Sequence, residues 1–490
     1  MGIWSQLNPS SSHVAYCLLS AFTALFSLCS TLIKENIYVG VAVLATVYGL
    51  IVGPHCLNWF DPLSWMNNSL NFSLEISRIF LCLDIFTVGI ELPKRYIYSH
   101  FWSVISLLVP VMTIGWLIIG LFIWLLIPRM TFAYGLLISS TITATDPVLA
   151  QAVVGRGKFA KRVPEHLRNI LTAESACNDG MAVPFVYLAS NLILHAGDGG
   201  AIAKNFICLA VLYECVFGII LGGLIGFVGR KLIRLAHEHG FIERECILVF
   251  YLVLSVMSAG LGSTLGADDL LSSFAAGCAF SWDGWVAGQM EGSDAPAVLE
   301  LLLNICYFVY FGAVIPWQEF NNAALGLNAW RLIILGIVVL LLRRIPAVFV
   351  VMPICPDVRN WKEALFVGHF GPIGVGAVYA SILAISVLEA SVLGIDHGPV
   401  ASYPESDDLY YLVRVIWPIV CFLIVVSVVV HGLSPALIAW GRGFRKRDRE
   451  NIEVYELTDR AASKGSFTRR RVHGSDDLRI VRSWTAGQTI

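Results

Sequence analysis

The segment that decides the architecture is residues 133–154, AYGLLISSTITATDPVLAQAVV, an apolar run with Asp146 directly before Pro147 near its middle. A run of about 20 apolar residues is one bilayer-spanning helix. Proline removes a backbone donor and pushes the residue before it out of helical geometry, so this helix is expected to be interrupted at Asp146. An interruption at membrane depth is tolerated only where protein or a polar cavity lines it, and transporters use such breaks to bind ions. A second break is expected in GHFGPIGVGA, residues 368–377, which packs Gly368, Gly371, Pro372, Gly374 and Gly376 together. Two broken helices in corresponding places of two halves point to a midplane site in a transporter built from inverted repeats.

The rest of the chain supports a membrane reading. It is 57% hydrophobic and only 14% charged over 490 residues, with a mean hydropathy of +0.73, where soluble domains carry roughly 25% charged residues. Apolar runs fall at Val14–Leu32, Tyr38–Val52, Leu74–Leu92, Trp102–Ile127, Ala133–Val154, Asn169–Leu194, Phe206–Val228, Cys246–Leu261, Asp268–Trp285, Val298–Ile315, Trp330–Ile354, Leu365–Leu388 and Tyr411–Val430. The fold class is therefore an all-α integral membrane protein of 12–13 transmembrane helices, the second, eighth and ninth runs being short or glycine-rich. The 12 cysteines are scattered singly and read as small buried hydrophobes. The N-terminus lacks the basic start of a removable signal peptide, so the first run is expected to stay as an anchor.

Charge sets the orientation. Lys94 and Arg95, then Arg156, Lys158, Lys161, Arg162 and Arg168, then Arg230, Lys231 and Arg234, then Arg359 and Lys362 follow odd-numbered runs. The positive-inside rule makes those loops cytoplasmic. The other side carries sequons at Asn67 and Asn71 and the acidic residues Asp396, Glu405, Asp407 and Asp408. The N-terminus is thus expected outside and the C-terminus inside. Residues 1–440 form the membrane domain and 441–490 a polybasic juxtamembrane segment, with Arg442, Arg445, Lys446, Arg447 and Arg449, followed by a disordered tail. Such a segment suits a solvated flank or contact with anionic lipids.

Ionisable residues at bilayer depth are costly and mark function by default. In AESACNDGMAVP, residues 173–184, the positions of Glu174, Ser175, Asn178 and Asp179 place them on one polar stripe of a helix, which must face protein or water. The bland alternative is a hydrogen-bond network between packed helices. LLLRRIPAVF, residues 340–349, places Arg343 and Arg344 mid-run, where at least one needs an acid or carbonyl partner; Glu300 is one candidate. Asp268 and Asp269 suit equally a helix N-terminal pair at the external surface or acids in an ion path. Asp84 is a weaker signal, and His369 is more readily a packed histidine than a proton sensor.

With these residues in hand, the sequence resembles the fungal plasma-membrane sodium/proton antiporters of the monovalent cation:proton antiporter superfamily. The resemblance runs from about Asn36 to the polybasic segment. It is carried by VGIELPK, TDPVLAQAVVGRGKFAKRVPEHLRN, AESACNDGMAVPF, ADDLLSSFAAGCAFSWDGW, RRIP and GHFGPIGVGA in that order. It implies thirteen helices, a homodimer, and a core in which two broken helices cross at the bilayer middle. Carried over by position, Asp179 resembles the acid that binds cation and proton, beside Asn178. Thr145, Asp146, Glu174 and Ser175 resemble supporting polar groups, Arg344 the basic partner of core acids, and Asp268 with Asp269 a shared acidic pair. Two positions depart from the wider family: Thr87 stands where many relatives have an acid, and Ile373 where many have arginine.

The expected activity is exchange of sodium, and of lithium or potassium, for protons across the plasma membrane, without a cofactor or enzymatic chemistry, in support of salt tolerance and pH homeostasis. Cation and proton compete for one buried carboxylate, and that competition produces obligatory exchange. Sodium-coupled solute symport, a cation channel, and an intramembrane aspartyl protease using Asp146 and Asp179 as its paired acids are the alternatives.

Overall fold

The computed structural model describes residues 10–65, 69–154, 160–290, 293, 295–393 and 408–463. All regular structure in them is helical, as lipid demands of chains that must satisfy their own backbone hydrogen bonds. The helices used below are α1 (Ser11–Thr31), α2 (Val41–Val52), α3 (Ser69–Glu91), α4 (Phe101–Leu126), α5 (Phe132–Ser140), α6 (Pro147–Val154), α7 (Glu165–Leu194), α8 (Gly199–Glu238), α9 (Arg244–Thr264), α10 (Asp269–Phe280), α11 (Ala295–Val314), α12 (Ala329–Leu342), α13 (Ile345–Val351), α14 (Trp361–His369), α15 (Val375–Leu393) and α16 (Asp408–Ser463). Every apolar run read from the sequence falls on one helix or on two half-helices. Seven helices among the described residues are long and apolar enough to cross a membrane outright.

Burial separates a lipid-facing shell from an interior. In α1 only 17% of the apolar window is buried, and Leu25 and Leu28 point outward. In contrast, α7 buries Ala173 through Gly180 without a gap, acids included, and α15 is buried from Val375 to Ile382. A helix buried all round lies inside the bundle, so the polar stripe of α7 faces protein.

Both expected breaks are present: α5 and α6 are separated at Thr141–Asp146, and α14 and α15 at Phe370–Gly374. The structure adds a third. The run Trp330–Ile354 reads as one helix in the sequence, but it divides at Arg343–Arg344, where Arg344 leaves helical geometry (φ −123°, ψ −41°) and Pro346 sits in the first turn of α13. Proline disfavours helix in the residues before it, and the two arginines gain partners that a continuous helix would deny them.

One compact unit runs from Met1 to Ala436 and a second from Leu437 to Ile490. Helix α16 continues past residue 440 to Ser463, where the sequence predicts disorder. That stretch is rich in Arg and Glu, which favour helix. Residues 464–490, the sequon Asn67, the basic residues Arg156 and Lys158, and the acids Asp396, Glu405 and Asp407 lie outside the described residues.

Candidate functional site

Two side chains hold the crossing of the broken helices. Asp146, 1% exposed, accepts from the backbone amides of Val148 (2.8 Å) and Leu149 (3.1 Å) through Oδ1, and from that of Val375 (2.6 Å) through Oδ2. It therefore caps the N-termini of α6 and α15 together, where the helix dipoles favour negative charge. Its own amide donates to the Pro372 carbonyl at 2.8 Å, joining the two breaks directly.

Arg343 does the complementary task. Its guanidinium donates to the carbonyls of Ile142 (2.6 Å), Ala144 (3.0 Å) and Thr143 (3.4 Å) in the first break and to that of Gly371 in the second. These are the orphan carbonyls beyond α5 and α14, which carry the negative end of each dipole. Ile373, where many relatives have arginine, is buried, and its amide donates to Ser427 Oγ of α16 at 2.6 Å.

Beside this frame lies the polar stripe of α7. Asn178 accepts from the amide of Thr145 (2.9 Å) and donates to Thr145 Oγ1 (2.6 Å) and Glu174 Oε1 (3.0 Å), while the hydroxyls of Thr145 and Ser175 are 3.2 Å apart. Glu174, fully buried, receives Arg344 in a two-pronged pair at 2.6 and 2.9 Å. Asp179 differs from all of these: it is 2% exposed, and neither of its carboxylate oxygens has a hydrogen-bond partner. Glycines make room for the acids, because a Cβ on Gly374 would collide with the Asp146 carboxylate and one on Gly376 with that of Asp179. Asp179 thus sits against the first turn of α15, beside the crossing.

The structure brings Thr145, Asp146, Glu174, Ser175, Asn178, Asp179 and Arg344 into one cluster. Asp268 and Asp269 sit elsewhere and are buried, not at a surface. Asp268 caps α10 by accepting from the Leu271 amide at 2.9 Å. Asp269 pairs with Arg78 of α3 at 2.7 Å and accepts from Ser263 (2.8 Å) and Tyr379 (3.2 Å). Glu300 lines a different cavity, on α3, α9 and α11, so the partners of the two arginines are Glu174 and the break carbonyls instead. His369 is packed, with Nε2 at 3.2 Å from Ser434 and its carbonyl 2.9 Å from His431 Nε2. Sequence reasoning misses Arg78 and the bridging task of Arg343; mid-membrane charge is the one signal that marks Arg343.

Similarity to known proteins places the chain in a family. Residues 19–441 match the family described as "Sodium/hydrogen exchanger, transmembrane". The chain is 56% identical over 444 residues to a Na(+)/H(+) antiporter of Saccharomyces cerevisiae, covering 90% of this chain and 45% of that protein. It is 53% identical to Na(+)/H(+) antiporter 2 of Zygosaccharomyces rouxii, covering 90% of this chain and 54% of that one. A Na(+)/H(+) antiporter of Schizosaccharomyces pombe is 40% identical, with 90% and 93% covered. The chain spans about half the length of the first two relatives. Among solved structures, the sodium proton antiporter MjNhaP1 from Methanocaldococcus jannaschii superposes with a TM-score of 0.62 at 21% identity, over 87% of this chain and 99% of that one, and shares the fold.

Proposed function

Because the chain belongs to the sodium/hydrogen exchanger family, we propose that it exchanges a monovalent cation for protons across a membrane, with Asp179 the group on which the two compete. The observation that carries this is the orphaned carboxylate of Asp179, buried with both oxygens unpartnered beside two broken helices. An uncompensated buried charge costs several kcal/mol or more, so Asp179 must hold a proton or a cation. The hydroxyl oxygens of Ser175 and Thr145 on the same side of the core are hard oxygen ligands of the kind that suit sodium, lithium or potassium. Asn178 and the Glu174–Arg344 pair position the stripe, while Asp146 and Arg343 fix the crossing next to it.

Asp268 and Asp269 serve this reading as a buried acidic pair outside the core cluster, with Arg78 compensating Asp269. Protease chemistry on Asp146 and Asp179 is disfavoured, since Asp146 uses both oxygens to cap two helices and Asp179 shares no hydrogen bond with it. We further infer a plasma-membrane homodimer, with the membrane domain ending near residue 440 and the tail in the cytoplasm. Supports are the resemblance to the fungal antiporters and the basic loops after Lys94, Lys161 and Arg230.

Proteoliposomes loaded with a pH dye test the central claim. Sodium added outside should drive proton movement in wild type and not in Asp179→Asn, which keeps the side-chain volume and should elute as a folded protein. Wild-type exchange by a well-folded Asp179→Asn variant overturns the assignment.

A further inference from the structure

We propose that an anionic phospholipid headgroup binds where α3, α8 and α10 end, on the membrane face that carries the basic loops. The site is built around the turn after α10, residues 281–285, SWDGW. Ser281 donates to the Ile90 carbonyl near the end of α3 at 3.1 Å, and Asp283 accepts from the Trp285 amide at 3.1 Å. Cations from the other two helix ends collect on this turn. Arg95 lies 6.0 Å from the centre of the Trp282 ring, and the stem of Lys94 crosses Gly284, where a Cβ would collide with it. From α8, Arg234 reaches Asp283 Oδ2 at 3.5 Å and lies 5.9 Å from the centre of the Trp285 ring.

Arg230, one turn before Arg234 on α8, carries the case for a ligand. It is 8% exposed, and its Nη1 is buried without a hydrogen-bond partner. That nitrogen faces Asp283 Oδ2 across 3.9 Å, beyond hydrogen-bond length, and the same oxygen already serves Arg234. A buried guanidinium with an empty donor is costly, and a phosphate oxygen satisfies it with a charge-assisted bond. Among the described residues, the ion pairs of Lys94, Arg95, Arg230 and Arg234 bring in two acids, Asp283 and Glu238, so positive charge is in excess.

The surroundings select a lipid over a free anion. Preceding Arg230, α8 exposes Ile220, Leu224, Phe227 and Val228, whose spacing makes one apolar strip on which acyl chains can lie. Trp282 is exposed beside the cations, as tryptophan is at headgroup level. Basic pockets between membrane helices take anionic headgroups in this way. None of the core residues takes part, so the site stands or falls apart from exchange.

Melting of the purified full chain in detergent tests it, because a ligand that binds only the folded state raises Tm with its concentration. Dioleoyl phosphatidylserine should raise Tm where dioleoyl phosphatidylcholine at the same mole fraction does not. Arg230→Gln, and separately the surface pair Lys94→Gln/Arg234→Gln, should each raise the half-saturating phosphatidylserine concentration at least about tenfold, equivalent to about 1.4 kcal/mol. Each response is read against the variant's own melting point without lipid, so a change in stability does not mask it. Arg445→Gln/Lys446→Gln/Arg447→Gln, in the basic segment after the membrane domain, should leave the response as in wild type. Equal responses to the two lipids, half-saturation unchanged in Arg230→Gln or in the surface pair, a response lost only in the Arg445/Lys446/Arg447 variant, or an equal rise with sodium phosphate at matched ionic strength overturns the proposal.

Discussion

Arg344 meets Glu174 as a two-pronged ion pair, 2.6 and 2.9 Å, in which neither residue is more than 4% exposed. Asp179, the acid whose two oxygens have no hydrogen-bond partner, is left out of it. Arg344 therefore holds α7 against the start of α13, and through Glu174 it orients Asn178, whose amide donates to Glu174 at 3.0 Å.

Removing one partner of a buried pair strands the other charge, at a cost of about 3–5 kcal/mol. Arg344→Gln should accordingly lower the detergent melting temperature steeply. Adding Glu174→Gln to it should restore part of the loss, because no charge is then stranded. A single variant that melts like wild type would show that the pair contributes no net stability.

Asp146→Ala should loosen two helix N-termini at once. Each lost cap costs about 0.5–2 kcal/mol, so the variant should lose about 2–3 kcal/mol. Asp146→Asn keeps one acceptor oxygen and should lose less. Thermal melts of the three proteins, with proteolysis across residues 141–146, check both the size and the order of the effects.

Gly376→Ala brings a methyl group onto the Asp179 carboxylate, while the neighbouring Ala377 already carries one that is tolerated. The expected result is a fold that survives and a sodium KM raised about tenfold, equivalent to about 1.4 kcal/mol. Initial rates of sodium-driven proton movement against sodium concentration measure it. Equal KM values would move the cation away from Asp179.

Which parts of this are legible in the chain follows from the range of the interactions. The breaks at Asp146 and at Gly371–Gly374 are local, because Asp-Pro and a glycine-proline cluster disturb helix wherever they occur. The stripe from Glu174 to Asp179 is also local, being set by helical spacing. Arg78 with Asp269, and Asp146 with the Val375 amide, join residues far apart in sequence. No spacing encodes such pairs, and the resemblance marks residues without marking their partners. The split of the Trp330–Ile354 run is hidden because its apolar composition continues through the break. Of its two arginines, Arg343 serves carbonyls, one of the two kinds of partner a mid-run arginine needs, but which carbonyls it joins no charge pattern reveals.

The two residues at the crossing have a mechanical consequence. Asp146 holds the starts of α6 and α15, and Arg343 the carbonyls beyond α5 and α14, so four half-helix ends share two side chains. Parting the broken helices would strand a buried carboxylate and a buried guanidinium together, each without the backbone partners it now has. The crossing therefore behaves as a rivet and not as a joint. In any shift of one part of the bundle against another, the rivet travels or stays behind whole, and compliance has to be found in the connections around it.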